Sequence, residues 1–202
     1  MSRLRVFPIV EGDGDAGATP ILLRRIWTEL LGGEYLEVLK PYTGKRQKVV
    51  QPSELARILD LAVSKLRPES DDPAMILILL DADDDPSCIL GPKLLDQARR
   101  IRGDADISCV IADVDFETWF VAAAASLTRF LNLPADSDLP ETPEQSRQGK
   151  GKGWIKGRYP RYSPTVDQPR MTAAMDLHLC RQRSPSFDEL CRELEKRLQP
   201  LP

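Results

Sequence analysis

The fold of this chain is decided by residues 74–85, which read AMILILLDADDD. Seven apolar residues run directly into acids, a pattern typical of a strand buried on both faces of a parallel sheet. Ligands and ions bind outside the carboxyl ends of such strands. The carboxylates of Asp81, Asp83 and Asp85 stand at alternate positions and repel one another unless a cation or protons neutralise them. The segment therefore predicts either a divalent-metal site or an acidic, solvated loop.

The N-terminal segment has a similar layout. An apolar run over residues 4–10 predicts the first strand, and residues 11–18 form a turn rich in glycine and acids. Thr19 and Pro20 then suit the N-cap and first position of a helix. The glycines of the turn have the spacing of a dinucleotide-binding loop, but the acids among them would repel a pyrophosphate. We expect this turn to suit a metal ion better than a nucleotide.

The rest of the first two thirds of the chain alternates between strand and helix patterns. The predicted elements are a strand at 35–41, helices at 52–66 and 92–102, a strand at 107–112 and an Ala-rich helix reaching about residue 131. This order predicts an α/β fold with about four parallel strands and helices on both faces of the sheet.

Acidic residues follow three of the predicted strands. Glu11 follows the first strand, the acids from Asp81 onward follow the third, and Asp113, Asp115 and Glu117 follow the fourth. The carboxyl ends of parallel strands meet at one edge of the sheet, so these acids should converge there. Convergence from three strands favours a Mg²⁺ or Mn²⁺ site over a solvated loop.

The last third of the chain is expected to be an extension of the core. We place the α/β core at residues 1–132, and a basic, aromatic loop with C-terminal helices that pack on the core at 133–202. Helices are predicted at 171–182 and after a capping box at Ser186–Glu189. Residues 133–148 are polar and Pro-rich, as in a linker.

Residues 149–162 combine basic and aromatic side chains without an acid. Cations can neutralise phosphates while aromatic rings stack on bases. The candidate nucleic-acid-binding residues are Lys150, Lys152, Trp154, Lys156, Arg158 and Arg161. A glycine-rich surface loop, or one that docks an acidic partner, fits the same composition equally well.

Overall composition limits the class of protein. The 202-residue chain has a net charge of −3 and four cysteines without CxxC spacing. This charge argues against a generally basic nucleic-acid binder, so any such contact must be local. The cysteine spacing favours reduced thiols in the core. No apolar run approaches 18 residues, so we expect a cytoplasmic protein that does not span a membrane.

The motifs together resemble the TOPRIM domain, a Rossmann-like metal-binding fold of topoisomerases, bacterial primases and OLD-type nucleases. The carrying residues are Glu11-Gly12 after the first strand and Asp81-Ala82-Asp83 after the third. The whole chain is similar to small stand-alone prokaryotic TOPRIM-like proteins, related to OLD nucleases and found beside ATPases in defence-type loci. That resemblance rests further on residues 80–85, on Phe116–Phe120 and on Ser184–Phe187.

The resemblance implies a Mg²⁺- or Mn²⁺-dependent nuclease in antiviral defence. Its catalytic residues would be Glu11, Asp81 and Asp83, with Asp85 and Glu117 as additional metal ligands. The implied partners are a nucleic acid, with DNA preferred over RNA, and an ATPase. The resemblance is also compatible with a homo-oligomer.

Two alternatives stay open. Related nucleases often carry a further Glu shortly after the Glu-Gly pair, where this chain has Asp13 and Asp15. The shorter aspartate side chain sets the carboxylate back by one methylene. A catalytically degenerate TOPRIM fold that serves as the scaffold or regulatory subunit of an ATPase complex is therefore one alternative. A phosphatase of the haloacid-dehalogenase type, with Asp81 as nucleophile and Asp83 as acid, fits less well because that family's motif follows the first strand.

Overall fold

The structure, a computed structural model, describes residues 3–66, 72–131, 133, 143 and 150–198. Its centre is a sheet in which every described strand pair is parallel. The strands are β1 (Arg3–Val10), β2 (Tyr35–Val38), β3 (Tyr42–Thr43), β4 (Ala74–Asp81) and β5 (Ile107–Ala112). They are arranged in the order β2-β1-β4-β5, and β3 also pairs with β1. The predicted parallel α/β fold is confirmed.

Helices follow most of the strands. They are α1 (Asp13–Arg25), α2 (Arg46–Val49), α3 (Pro52–Leu66), α4 (Ser87–Ile101), α5 (Glu117–Ala122), α6 (Lys150–Arg158), α7 (Pro164–Thr172), α8 (Leu177–Arg183) and α9 (Pro185–Glu195). A π-helical turn at Ile26–Leu30 continues α1, and a 3₁₀ turn at Ala124–Ser126 follows α5.

The sheet separates two hydrophobic clusters, and β4 contributes to both. Alternate β4 residues Ile76, Ile78 and Leu80 pack with α3 and α4, whereas Met75, Leu77 and Leu79 face the other cluster. That second cluster contains side chains of α1, α5 and the helices from α6 to α9. Both faces of β4 are buried, which explains its unbroken apolar sequence.

The predicted turn over residues 11–18 is wrong, because α1 begins at Asp13, six residues before the predicted N-cap Thr19. Asp15 accepts a hydrogen bond from the Gly12 backbone N–H at 3.0 Å and so stabilises an earlier start. Gly14 is needed for packing, since a Cβ there would lie 1.9 Å from the Gln168 side-chain oxygen on α7. The glycines thus permit close contact between two helices.

Other helix boundaries also differ from the prediction. α4 begins at Ser87 and not at residue 92, and residues 150–158 are helical although a loop was expected. α5 ends at Ala122, well before residue 131. The backbone carbonyl of Ala122, the last residue of α5, accepts a hydrogen bond from Arg183 at 2.8 Å. This bond offsets the loss of a helical hydrogen bond at the C-terminus of α5.

The predicted helix over 171–182 is two helices. Asp176 separates them, because its side chain accepts a hydrogen bond from Leu179 N and caps α8. The predicted capping box at Ser186 is wrong: Ser184 is the N-cap of α9, and its Oγ accepts from Phe187 N at 3.2 Å. Ser186 Oγ instead accepts a hydrogen bond from Trp119 Nε1 at 3.0 Å.

Three of the four cysteines lie in the core. All four cysteines are free thiols, and Cys109, Cys180 and Cys191 are buried as expected, whereas Cys88 is exposed. None of the described helices is long and apolar enough to cross a membrane. The predicted linker over 133–148 lies outside the described residues except for Leu133 and Pro143.

Candidate functional site

Five acidic residues lie at the carboxyl edge of the sheet and interact through their charges, and we call them the acidic cluster. They are Glu11, Asp15, Asp81, Asp115 and Glu117. Glu11 follows β1, Asp15 lies in the first turn of α1, Asp81 ends β4, and the last two follow β5. Burial raises the pKa of Asp81 well above its usual range, and the other four carboxylates raise it further. Of the acids predicted to lie together after the strand ends, Glu11, Asp81, Asp115 and Glu117 therefore interact through their charges.

Asp81 and Asp15 are each held by hydrogen bonds from other elements. Asp81 Oδ1 accepts from the backbone N–H of Phe116 at 2.9 Å, which joins the end of β4 to the start of α5. Asp15 Oδ1 accepts from Gln168 Nε2 on α7 at 3.1 Å. Burial raises the pKa of Asp15, against the effect of its hydrogen bonds from Gly12 and Gln168. Both carboxylates thus have fixed positions and unfavourable negative charge.

Asp115 attaches α6 to the cluster. Its side chain is buried, and Oδ1 accepts from Thr118 N at 3.0 Å and from Thr118 Oγ1 at 2.9 Å. Oδ2 accepts from the backbone N–H of Lys152 at 3.1 Å. Because the Lys152 charge lowers the pKa of Asp15 and Glu117, its ammonium group acts on the cluster as well. Lys152 therefore belongs to this site.

Glu117 has the chemistry of a proton-transfer group. It is 3% exposed, and its Oε1 accepts a hydrogen bond from the Tyr162 hydroxyl at 3.1 Å. Burial, followed by the charge of Asp115, raises the pKa of Glu117 to about 7. Burial and the Glu117 charge likewise raise the pKa of Tyr162, so this tyrosine stays protonated and donates. A carboxyl group that titrates near neutral pH is suited to general acid–base work.

The raised pKa of Glu117 predicts a pH-dependent stability. Its folded-state pKa of about 7 exceeds the usual 4.5, so ionisation destabilises the folded protein as pH rises between these values. In EDTA, Glu117→Gln should match wild type near pH 4 and exceed it by up to roughly 3 kcal/mol at pH 8. Urea unfolding across this range measures the difference. Exposed Glu34→Gln is the control, and a pH-independent difference for Glu117→Gln would contradict the assignment.

Glu11 provides an unsatisfied oxygen at the cluster. Its Oε2 is buried without a hydrogen-bond partner, which is costly for a carboxylate. Carboxylate oxygens are the donors that Mg²⁺ and Mn²⁺ prefer, so the chemistry of the cluster fits such an ion. Over the described part of the chain, however, no three His, Cys, Asp or Glu side chains are close enough together to hold a metal ion. The residues suit a cation, but their oxygens do not converge on one point.

The side chains of Asp83 and Asp85 form ion pairs, whereas that of Asp81 accepts a backbone hydrogen bond. Both pair with Arg46 of α2, at 3.5 Å and 2.5 Å respectively, and their side chains are 43% and 59% exposed. Asp83 has a left-handed backbone, with φ of 53°, and its N–H donates to Val114 O at 2.8 Å. For Asp83 to bind a cation beside Asp81, its carboxylate must exchange Arg46 for that cation.

The predicted nucleic-acid-binding residues lie on and after α6. Lys152, Lys156 and Arg161 are exposed. The guanidinium group of Arg158 lies 3.7 Å from the centre of the Trp154 ring, so these two half-buried side chains stack. The side chain of Lys150 lies outside the described part of the structure. A cationic helix thus borders the acidic cluster through Lys152.

Sequence reasoning missed two members of the site and undervalued two others. Gln168 and Tyr162 come from the last third of the chain and reach Asp15 and Glu117 only through tertiary packing, so local sequence carries no signal for them. Asp15 stands in a segment wrongly predicted as a turn. Asp115 was among the acids predicted to converge after the strand that is β5, but it was not named as a metal ligand.

Comparison with known proteins identifies the family of this chain. No curated protein and no solved structure matches the chain. A family model described as a domain of unknown function, DUF4276, matches residues 10–195. That match starts at the last residue of β1 and ends with α9, so it includes the whole acidic cluster and the C-terminal helices. The chain therefore belongs to the DUF4276 family.

Proposed function

We propose that this protein is a divalent-metal-dependent phosphodiesterase that cuts nucleic acid, a nuclease of the TOPRIM type. The observation that carries the proposal is the acidic cluster. The other four carboxylates of the cluster raise the pKa of Asp81, and one of them, Glu11, has a buried oxygen without a partner. Such an arrangement is unfavourable in isolation and becomes favourable when a cation neutralises it.

Glu11 and Asp81 would be the principal metal ligands, with Asp15 and Glu117 within the same cluster. A Mg²⁺ or Mn²⁺ ion bound there would offset the charge that develops on a scissile phosphate and would make a bound water more acidic.

The chain's own residues supply positioning and proton transfer. Phe116 N holds Asp81, and Gln168 holds Asp15, so both carboxylates are oriented before a substrate arrives. Glu117, hydrogen bonded to Tyr162, can take a proton from the attacking water or give one to the leaving oxygen. The cationic side chains of Lys152, Lys156 and Arg158 would bind the phosphates of the strand.

A cleavage assay tests this function. Labelled single-stranded DNA, duplex DNA and single-stranded RNA are incubated with Mn²⁺ or Mg²⁺, with and without EDTA. We expect cleavage of at least one substrate, complete inhibition by EDTA, and a loss of about 100-fold or more in Glu11→Gln. The matched control is Glu34→Gln, an exposed glutamate before β2. Cleavage that survives EDTA or Glu11→Gln would contradict the proposal.

A second candidate function is a catalytically inactive scaffold or regulatory subunit of an ATPase complex. It is favoured by one observation, that no three described acidic, His or Cys side chains converge to hold a metal ion. The two functions differ in metal binding. A scaffold would neither bind Mn²⁺ at the cluster nor cut any of the three substrates.

A further inference from the structure

A cavity of about 530 Å³ opens beside the C-terminal helices, outside the acidic cluster. Its described lining consists of Arg129, Phe130, Tyr159, Arg170 and Ala173. We call it the Arg129–Arg170 pocket. Two guanidinium groups and two aromatic rings line it, and this described lining contains no acid. The two arginines thus place cationic groups at this opening in a protein whose net charge is −3.

The arginines of the pocket are arranged around one ring. The guanidinium carbon of Arg129 lies 5.0 Å from the centre of the Phe130 ring, and that of Arg170 lies 5.9 Å from it. Arg129 is exposed, and the Arg170 side chain is 63% exposed, so both guanidinium groups can reach a ligand. Both guanidinium groups lie over this ring, so a base can stack on it once a guanidinium group leaves the ring for the ligand's phosphate.

A buried carboxylate holds the pocket in shape. Asp167, with a side chain 3% exposed, pairs with Arg170 at 3.4 Å and accepts from the Tyr159 hydroxyl at 3.3 Å. It also accepts from the backbone N–H of Ser163 at 2.8 Å. One side chain therefore positions a cation and a ring of the lining before any ligand is present. Such preorganisation lowers the entropic cost of binding.

The pocket is connected to the acidic cluster through two tyrosines. The rings of Tyr159 and Tyr162 meet edge to face with centroids 6.4 Å apart, and the Tyr162 hydroxyl donates to Glu117. These contacts run through the buried Tyr162, so the pocket and the candidate reactive centre are joined inside the fold.

From this arrangement we infer that the Arg129–Arg170 pocket binds a nucleoside phosphate, one unpaired nucleotide of a single-stranded nucleic acid. The base lies against Phe130, and Arg129 and Arg170 contact its phosphates. A paired base cannot enter, because its ring faces are covered by neighbouring base pairs. The placement beside the reactive centre rests on the proposed function, but the binding itself does not.

Fluorescence anisotropy in EDTA tests the pocket without any metal-dependent chemistry. The probe is a labelled single strand of about 12 nucleotides, within the range bound by known single-strand modules, at low ionic strength. We expect Phe130→Leu and Arg129→Gln each to weaken binding about fivefold or more. The first variant loses the ring on which the base stacks, and the second loses a cation that contacts the phosphate. Exposed Arg99→Gln on α4 is the charge-matched control and should bind within about twofold of wild type.

The outcomes separate this inference from its rivals. Equal binding by wild type and both pocket variants would overturn it, as would an equal loss in Arg99→Gln or tighter binding of the corresponding duplex. Competition by AMP distinguishes the source of the nucleotide. Weak competition by AMP supports a nucleic-acid strand as the ligand. A mononucleotide that binds as well as the strand would overturn that inference and identify a free nucleotide as the ligand. Because EDTA is present, a loss here is independent of a failure of metal binding at the cluster.

Discussion

Asp81→Asn is expected to stabilise the metal-free protein while abolishing its response to Mn²⁺. Asp81 is half-buried, and four neighbouring carboxylates oppose its ionisation. Asparagine removes that charge but keeps an oxygen that can accept from Phe116 N. We expect a gain of about 1 to 3 kcal/mol at pH 8, which corresponds to a rise of roughly 2 to 12 °C in Tm for a chain of this length.

Thermal unfolding at pH 8 with EDTA or with Mn²⁺ measures both effects. Wild type should gain stability with increasing Mn²⁺, because an ion that binds only the folded state stabilises it. Asp81→Asn should have the higher Tm in EDTA and show little further change. The control is Asp96→Asn on α4, whose exposed side chain pairs with Arg100. A destabilised Asp81→Asn in EDTA, or one that still responds to Mn²⁺, would contradict this account of the cluster.

Gly151→Ala should be the most damaging single-methyl change at the site. A Cβ at Gly151 would lie 2.3 Å from the backbone nitrogen of Thr118 and 2.4 Å from Asp115 Oδ1. The first is a main-chain atom that cannot rotate away, so α6 must move from α5. The hydrogen bond from Lys152 N to Asp115 would then be lost. We expect a destabilisation of about 2 kcal/mol or more, and loss of the Lys152 charge from the cluster.

Gly153 offers a matched control in the same helix. A Cβ there meets nothing within 4 Å, so Gly153→Ala should stabilise α6 by up to about 1 kcal/mol through helix propensity. Urea unfolding of both variants gives the comparison. If Gly151→Ala is as stable as Gly153→Ala, the close contact between α6 and α5 is absent and Lys152 does not belong to the site.

The sheet and its acidic edge were predictable because they depend on local pattern. The apolar run of β4 could only be a buried strand or a buried helix segment, and the alternation of strands and helices along the chain favoured the parallel sheet. Once the sheet was predicted, the positions of Glu11, Asp81 and Glu117 followed from the common edge. Asp83 and Asp85 were predicted with them, but their pairing with Arg46 depends on α2, which the sequence pattern did not indicate.

Helix boundaries, and the residues that position the acidic cluster, were harder to predict because contacts between distant parts of the chain decide them. The start of α1 depends on its packing against α7, where Gly14 meets Gln168, so the glycines looked like a turn when read locally. The same reason applies to Gln168 itself, which lies 153 residues from Asp15 in the chain. The break between α7 and α8 similarly depends on Asp176, whose backbone N–H donates to Ser126 Oγ of a separate element.

The most direct test of a cation site at the acidic cluster is a calorimetric titration of Mn²⁺ into the metal-free protein. Wild type and Glu34→Gln should show saturable binding. Glu11→Gln, which alters the one cluster carboxylate with a buried, unpartnered oxygen, should lose about 100-fold or more in affinity. Absence of saturable binding by wild type, or equal binding by Glu11→Gln, would contradict the metal site and favour the scaffold function instead.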